Sequence, residues 1–281
     1  MKTKSLATFA LCAIVLSSAC IRQQGNTGET EQQDTLTAQS ADAPSLQSIS
    51  YSAQRNIGPT FKTQDGDKRP SCNVKLNLEF EQGTQTRTKE EIKRLFFSSS
   101  AQTLNEAVTQ YGDSIVKHYV DEITMLYADT AYAPDFPFEY TFTAQGNTVA
   151  DNADNVLCYK IDITAYEGGA HGSYYEQWYN FDRQDGKHIT AAQAFDMSKE
   201  NDIKQLIRQQ LCAKYQCKDV QMLQDSLGIL IMSDVFITDN NFHLCKDGVK
   251  FLFNPYDIAP WAAGLISVEI PRKHLQGLCK F

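Results

Sequence analysis

Two runs of strict alternation meet at a glycine-rich turn, and this limits the fold more than any other feature of the chain. Leu157, Tyr159, Ile161, Ile163 and Ala165 alternate with Cys158, Lys160, Asp162 and Thr164. That period of two suits a half-buried β-strand and not a helix. The run enters the segment YEGGAHGSYY at positions 166–175 and leaves through a second strand that ends near Asp182. A chain that reverses between two long strands needs residues that accept positive φ, and Gly168 and Gly169 can supply them. The middle of the chain is therefore a strand pair, and the remaining elements must pack on it.

Those elements are legible on either side. NVKLNLEFE at 73–81 alternates Val74, Leu76, Leu78 and Phe80 with polar residues, which predicts another half-buried strand. Thr88 with Glu91 and Thr103 with Glu106 fit capping boxes at helix starts. From Thr103, apolar positions recur at three and four residues through Val108, Tyr111, Ile115, Tyr119, Ile123 and Leu126, the stripe of one long amphipathic helix. Alternation resumes at Phe138. Downstream, Asp185-Gly186 marks a tight turn, Thr190 to Gln193 caps a short helix, and Ile203, Leu206, Ile207 and Leu211 share one helical face. FHLC and VKFLF flank Lys246-Asp247-Gly248, a hairpin by its turn chemistry, and a last strand runs from Leu265 to the stop at Pro271. Interleaved elements with hairpin-linked strands predict an α+β fold of antiparallel sheets packed with helices. Two adjoining subdomains, 71–165 and 166–281, are expected.

The start of the chain reads differently. Residues 1–20 carry Lys2 and Lys4, then an apolar run from Leu6 to Leu16, then small residues before Cys20. This is the layout of a secretory signal, too short to span a bilayer, and LSSAC resembles a lipobox whose cysteine is acylated. Cys20 is therefore expected to carry a lipid, so that the membrane is a partner through it. Residues 21–70, rich in Gln, Thr, Ser and Gly, read as a disordered tether. IRQQG after Cys20 carries no acidic run, so the expected location is the periplasmic face of the outer membrane, with surface exposure as the alternative. A formal net charge of −8 argues against nucleic acid as a partner.

Eight cysteines are present. Cys12 lies in the signal and Cys20 is the lipid site, leaving Cys72, Cys158, Cys212, Cys217, Cys245 and Cys279. An even set outside the cytoplasm predicts disulfides whose connectivity the sequence leaves open. No pattern of metal ligands stands out, and neither a metal nor another cofactor is expected.

YEGGAHGSYYEQWYNFD, GKHITAAQAFD and DGVKFLFNPYDIAPWAAGLISVEIP occur in that order. Together they resemble the extracellular domain family found in RsiV-like anti-sigma factors and in the non-catalytic part of PdaC-like peptidoglycan deacetylases. The resemblance spans most of 165–275. It implies an α+β fold and a role in binding or sensing outside the cell, and RsiV-like proteins recognise lysozyme. The chain has no segment for sigma-factor binding, no transmembrane helix and no deacetylase domain, so what the resemblance carries over is the binding module.

Six residues are candidates for ligand contact: Tyr166, His171, Tyr174, Trp178, Tyr256 and Trp261. Rings offer large contact area at low entropic cost, which suits sugars and protein partners. His171 also has a structural reading, in which it donates to a backbone carbonyl and pins the turn. A catalytic His171 would need a nucleophile or an orienting carboxylate, and neither Ser173 nor Glu167 sits in a recognisable motif. Glu176 and Asp257 could form a glycosidase pair only at a suitable separation. The expected function is a lipid-anchored envelope protein without chemistry of its own, whose ligand is a lysozyme-like hydrolase or a peptidoglycan fragment. The alternatives are a glycan hydrolase with an unrecognised site and a structural envelope lipoprotein.

Overall fold

The computed structural model describes residues 46–129 and 131–280. The signal segment, Cys20 and residues 21–45 lie outside the described residues. Chain order begins with β1 (Leu46–Asn56), a small hairpin of β2 (Phe61–Thr63) and β3 (Gly66–Lys68), and β4 (Ser71–Glu81). β1 falls within the stretch whose composition predicts a tether, yet it pairs antiparallel with β4 over all eleven of its residues. Ile49, Tyr51 and Ala53 turn inward opposite Leu78, Leu76 and Val74, while the serines between them face out. The tether reading therefore fails from Leu46 onward: a serine-rich composition concealed a period-two strand.

Two helices follow, α1 (Thr86–Leu95) and α2 (Leu104–Leu126). Thr103 caps α2 by accepting from the Glu106 N–H at 3.1 Å, as its motif predicted. Thr88 does not cap α1, because that helix starts two residues earlier and takes Thr88 into its buried face. Then come β5 (Glu139–Thr148), β6 (Val156–Glu167) and β7 (Ser173–Asp182), completing a sheet of order β1-β4-β5-β6-β7. Its pairs are antiparallel except β4 with β5, which run parallel since two helices carry the chain across between them.

The helices cover one face of this sheet. Leu76, Leu78 and Phe80 of β4, with Tyr159, Ile161 and Ile163 of β6, pack against Ile92 of α1 and Val108, Tyr119 and Ile123 of α2. Each such side chain contributes about 1.5–3 kcal/mol through loss of apolar contact with water. The other face is polar. Ser50, Asn77, Gln145, Asp162 and Glu176 form one row across all five strands.

The second half contains α3 (Ala191–Ala194), α4 (Glu200–Lys214), α5 (Val220–Leu227), β8 (Phe242–Cys245), β9 (Gly248–Phe253) and β10 (Ile266–Pro271). Thr190 and Gln193 form the expected reciprocal capping box at α3. β8 and β9 form the expected hairpin, and β10 extends it to an antiparallel sheet of order β10-β9-β8. Phe242, Phe251 and Phe253 project from it into a second core with Ile203, Ile207 and Leu211 of α4. An α+β architecture with two cores is what the patterns predicted. The division between them falls after Asp182 and not at Ala165, because β6 and β7 both belong to the first sheet.

The reverse side of β8 and β9 rests on the polar face of β6 and β7. Asn180 of β7, fully buried, donates to the Phe242 carbonyl at 2.8 Å and accepts from the Leu244 N–H at 3.0 Å. Cys158, Trp178 and Leu252 form a small third core in this seam. All six cysteines are free thiols. Cys72 alone among them sits in the first core, so the expected framework in which all six pair does not match this fold.

Candidate functional site

The turn at 168–172 holds its shape through close backbone approaches. Gly168 has φ +76°, and a Cβ there would come within 2.5 Å of the Phe138 ring. Gly172 lies so near the Ala165 carbonyl that a Cβ would be 2.9 Å from its oxygen. Gly169, expected to share the positive φ, does not adopt it; Gly168 alone makes the left-handed step. Tyr119 of α2 donates to Glu167 at 3.0 Å, tying the helix to the strand end that enters the turn.

His171 is exposed at the tip. Its Nδ1 lies 3.0 Å from the Gly172 carbonyl oxygen, so the ring is oriented by the local backbone in the way a pinning histidine would be. The imidazole also stacks on Trp261, with centroids 4.0 Å apart and planes 20° from parallel. Tyr174 meets the same indole edge-on at 6.1 Å. The structural and binding readings of His171 thus coexist, since one ring nitrogen holds the turn while the ring face joins an aromatic cluster.

Trp261 reaches this place because the 254–264 loop is tightly folded. The Asn254 N–H donates to an Asp257 carboxylate oxygen at 2.6 Å, the Asp257 N–H returns to the Asn254 carbonyl at 2.9 Å, and Tyr256 takes φ +71°. Tyr256 is 55% exposed as a result. Pro260 then leads into the short 3-10 helix Trp261–Ala263, which ends at Gly264 with φ +70°. A Cβ at Gly264 would come 3.1 Å from the Tyr174 hydroxyl, so the loop and β7 are fitted to one another. The Trp261 indole N–H is buried with no hydrogen-bond partner.

Two further segments extend the rings into a surface. Tyr127 donates to the Phe136 carbonyl at 2.6 Å and accepts from the Phe138 N–H at 3.1 Å, fixing the loop before β5. Phe136 is 51% exposed, and Tyr132 and Tyr166 are also exposed. Phe138 lies under Gly168 and stacks on Phe136, with ring centroids 4.7 Å apart. On the far side, the Leu230 N–H donates to Ile258 and the Ser233 hydroxyl to the Asp257 carbonyl, placing exposed Ile231 and Met232 beside the 254–264 loop. Sequence reasoning missed Phe136, Tyr132, Ile231 and Met232, because no pattern marks an exposed apolar loop as a neighbour of a distant turn.

Carboxylates surround this end. Between His118 and Arg183 the sequence holds one lysine, Lys160, and of its eleven Asp and Glu residues Asp151, Asp154 and Asp182 lie at the far ends of β6 and β7 from the turn. Asp129, Asp135, Glu139 and Glu167 are exposed next to the aromatic segments. Lys160 is occupied, at 2.8 Å from Asp162 and 3.9 Å from Glu176. Burial pushes the Glu176 carboxyl above its usual range, with Lys160 opposing the shift. Burial likewise raises Asp257. Asn254 links the two acids, accepting from the Glu176 N–H at 2.7 Å while its own N–H binds Asp257. Those hydrogen bonds make the pair part of the loop's scaffold.

Trp178 takes another place than the one expected. It is 8% exposed, donates to Glu176 at 3.1 Å and packs edge-on to His243 at 6.0 Å, so it belongs to the seam and not to the surface. Of the six candidates, His171, Tyr174 and Trp261 come together, with Tyr166 and Tyr256 exposed on the flanking segments. Among the described residues, no group of three or more His, Cys, Asp or Glu is arranged to hold a metal ion.

Residues 194–273 match DUF3298, a protein family of unknown function. The Trp261 loop lies inside that stretch and the glycine turn precedes it. A solved structure of a DUF3298 family member from Bacteroides fragilis is similar to this chain, with TM-score 0.68 at 22% identity over 85% of this chain and 95% of that one. A DUF3298 family protein from Pseudomonas aeruginosa gives TM-score 0.56 at 14% identity, with the same coverage. These likenesses establish a shared fold. No curated protein matches the chain.

Proposed function

We propose that this chain is a lipid-anchored binding or sensing protein of the cell envelope, which presents its His171 and Trp261 end to a protein ligand such as a lysozyme-like hydrolase or to a peptidoglycan fragment. The observation that carries this reading is the stack of exposed His171 on half-buried Trp261, with exposed Tyr256 on the same loop as Trp261 and exposed Phe136 packed on the Phe138 ring beneath Gly168. Rings gathered from three separate segments form the kind of patch that marks a contact surface. The carboxylates around it favour a cationic ligand by charge complementarity. That choice supports a basic protein over peptidoglycan, whose peptide stems carry carboxylates of their own.

Anchoring through Cys20 places this end in the envelope, where such ligands occur. Among the described residues no helix is long and apolar enough to cross a membrane. A pull-down on immobilised lysozyme and on insoluble peptidoglycan tests the reading. Retention on lysozyme that weakens as salt rises is expected. Failure to be retained on either matrix contradicts it. Fractionation of cells making Cys20→Ser tests the anchor, and the variant is expected to leave the membrane fraction.

A further inference from the structure

The C-terminus of α4 brings two cysteines together. Gln216 takes φ +54°, the Gln216 N–H donates to the Ala213 carbonyl at 3.2 Å, and the Cys217 N–H donates to the Cys212 carbonyl at 2.8 Å. One hydrogen bond nested inside the other, with a left-handed residue between, is the Schellman cap, and an apolar contact between the two outer residues commonly accompanies it. Here the outer residues are Cys212 and Cys217, both half-buried and both packed against the second core. Backbone covalent dimensions and the 2.8 Å bond keep their Cα atoms within about 6.6 Å of each other, inside the range of about 4.4–6.8 Å that a disulfide spans. The other four described cysteines, Cys72, Cys158, Cys245 and Cys279, each lie opposite a residue that is not cysteine in their strand pairs or bridges. The cap also bears on the binding end. Beyond it Asp219 accepts from the Met222 N–H at 2.9 Å and starts α5, which leads to Ile231 and Met232 beside the 254–264 loop.

We propose that Cys212 and Cys217 are a redox site, closed by a disulfide oxidant into a bond that locks the α4 cap. Both are thiols in the structure. Neither residue is fully buried, so oxidant and solvent reach them at the surface end of α4. The reaction is thiol–disulfide exchange. Solvent base takes the Cys217 proton, and the thiolate attacks one sulfur of the oxidant's disulfide, releasing one thiolate and leaving a mixed disulfide on Cys217. Cys212, its proton also lost to solvent, attacks the Cys217 sulfur and expels the oxidant's second sulfur as a thiolate. Burial pushes the Cys212 thiol up, which suits it to this second step, where the sulfur it attacks is already held beside it. The two departing thiolates take up the two protons. Two protein thiols are oxidised to one disulfide, and one external disulfide is reduced to two thiols. The bond restricts the unfolded chain, while in the folded chain it joins residues that the cap has already brought together.

The test uses the full chain, incubated with oxidised glutathione, quenched with an alkylating reagent under denaturing conditions and digested with trypsin without reduction. Lys214 lies between the two cysteines, so the protease separates them unless a disulfide holds the fragments. The peptides Gln209–Lys214 and Tyr215–Lys218 are expected to be recovered joined. The oxidised protein is expected to unfold about 5 °C above the reduced one, a rise that added reductant reverses and that Cys217→Ser lacks. Recovery of both cysteines alkylated overturns the proposal, as does a crosslink of either one to a different cysteine with the joined pair absent. A joined pair whose unfolding midpoint matches that of the reduced protein contradicts the lock.

Discussion

Two buried histidines give the fold a pH dependence whose sign follows from their surroundings. Burial lowers His243 to about 4 from 6.5, aided by Lys250, and burial also lowers His188. Between about pH 6.5 and 4 the unfolded chain binds a proton at His243 that the folded protein refuses. Stability is therefore full above the ordinary histidine range and is lost as pH falls through that window, by about 3 kcal/mol from His243 alone. Denaturant unfolding at stepped pH should show the decline, and His243→Gln should flatten it. Asn180→Ala leaves the Leu244 N–H and the Phe242 carbonyl buried without their partner, and a loss of about 3 kcal/mol is expected in the same assay. Asn180 did not stand out in the sequence. Asn180 and Asn152 act on partners 62 to 91 residues away, and a buried polar residue carries no local sign of what it will meet. His171 and Trp261 were legible because glycines and prolines mark the loops that hold them.

At the level of elements, β1 shows how composition can conceal periodicity. Its inward residues Ile49, Tyr51 and Ala53 alternate with serines as regularly as those of β4 alternate with charges, but so much Ser and Gln resembles a tether. Besides its ladder with β4, β1 is held by a contact with α2. A Cβ at Gly112 would come 2.4 Å from the Tyr51 ring, so the glycine exists to admit that ring. Gly112→Ala should cost about 2 kcal/mol through overpacking, even though alanine is the better helix former by about 1 kcal/mol. Adding Tyr51→Ala should make the pair of substitutions less damaging than the sum of each alone, as thermal unfolding of the four variants would reveal. The strands around the glycine turn and the hairpin at Lys246-Asp247-Gly248 were readable directly, since alternation and turn chemistry are local. The parallel pairing of β4 with β5 was not, because it depends on how two helices carry the chain across the sheet.

Across the whole molecule, a two-layer first half and a second half built on three strands meet on the polar side of β6 and β7. The glycine turn and the 254–264 loop come from different halves, so the aromatic surface exists only when the seam is closed. Lysine is nearly absent from the segments that form it, and exposed Asp129, Asp135, Glu139 and Glu167 lie beside its rings. Those two properties together point to a basic partner, and His171 is the exposed ring that stacks on Trp261. Isothermal titration of the protein and of His171→Ala with lysozyme at low salt is the direct test. The parent is expected to bind, and the variant to bind about tenfold or more weakly. Equal affinity in the two proteins, or no binding by either, would contradict the assignment of this surface.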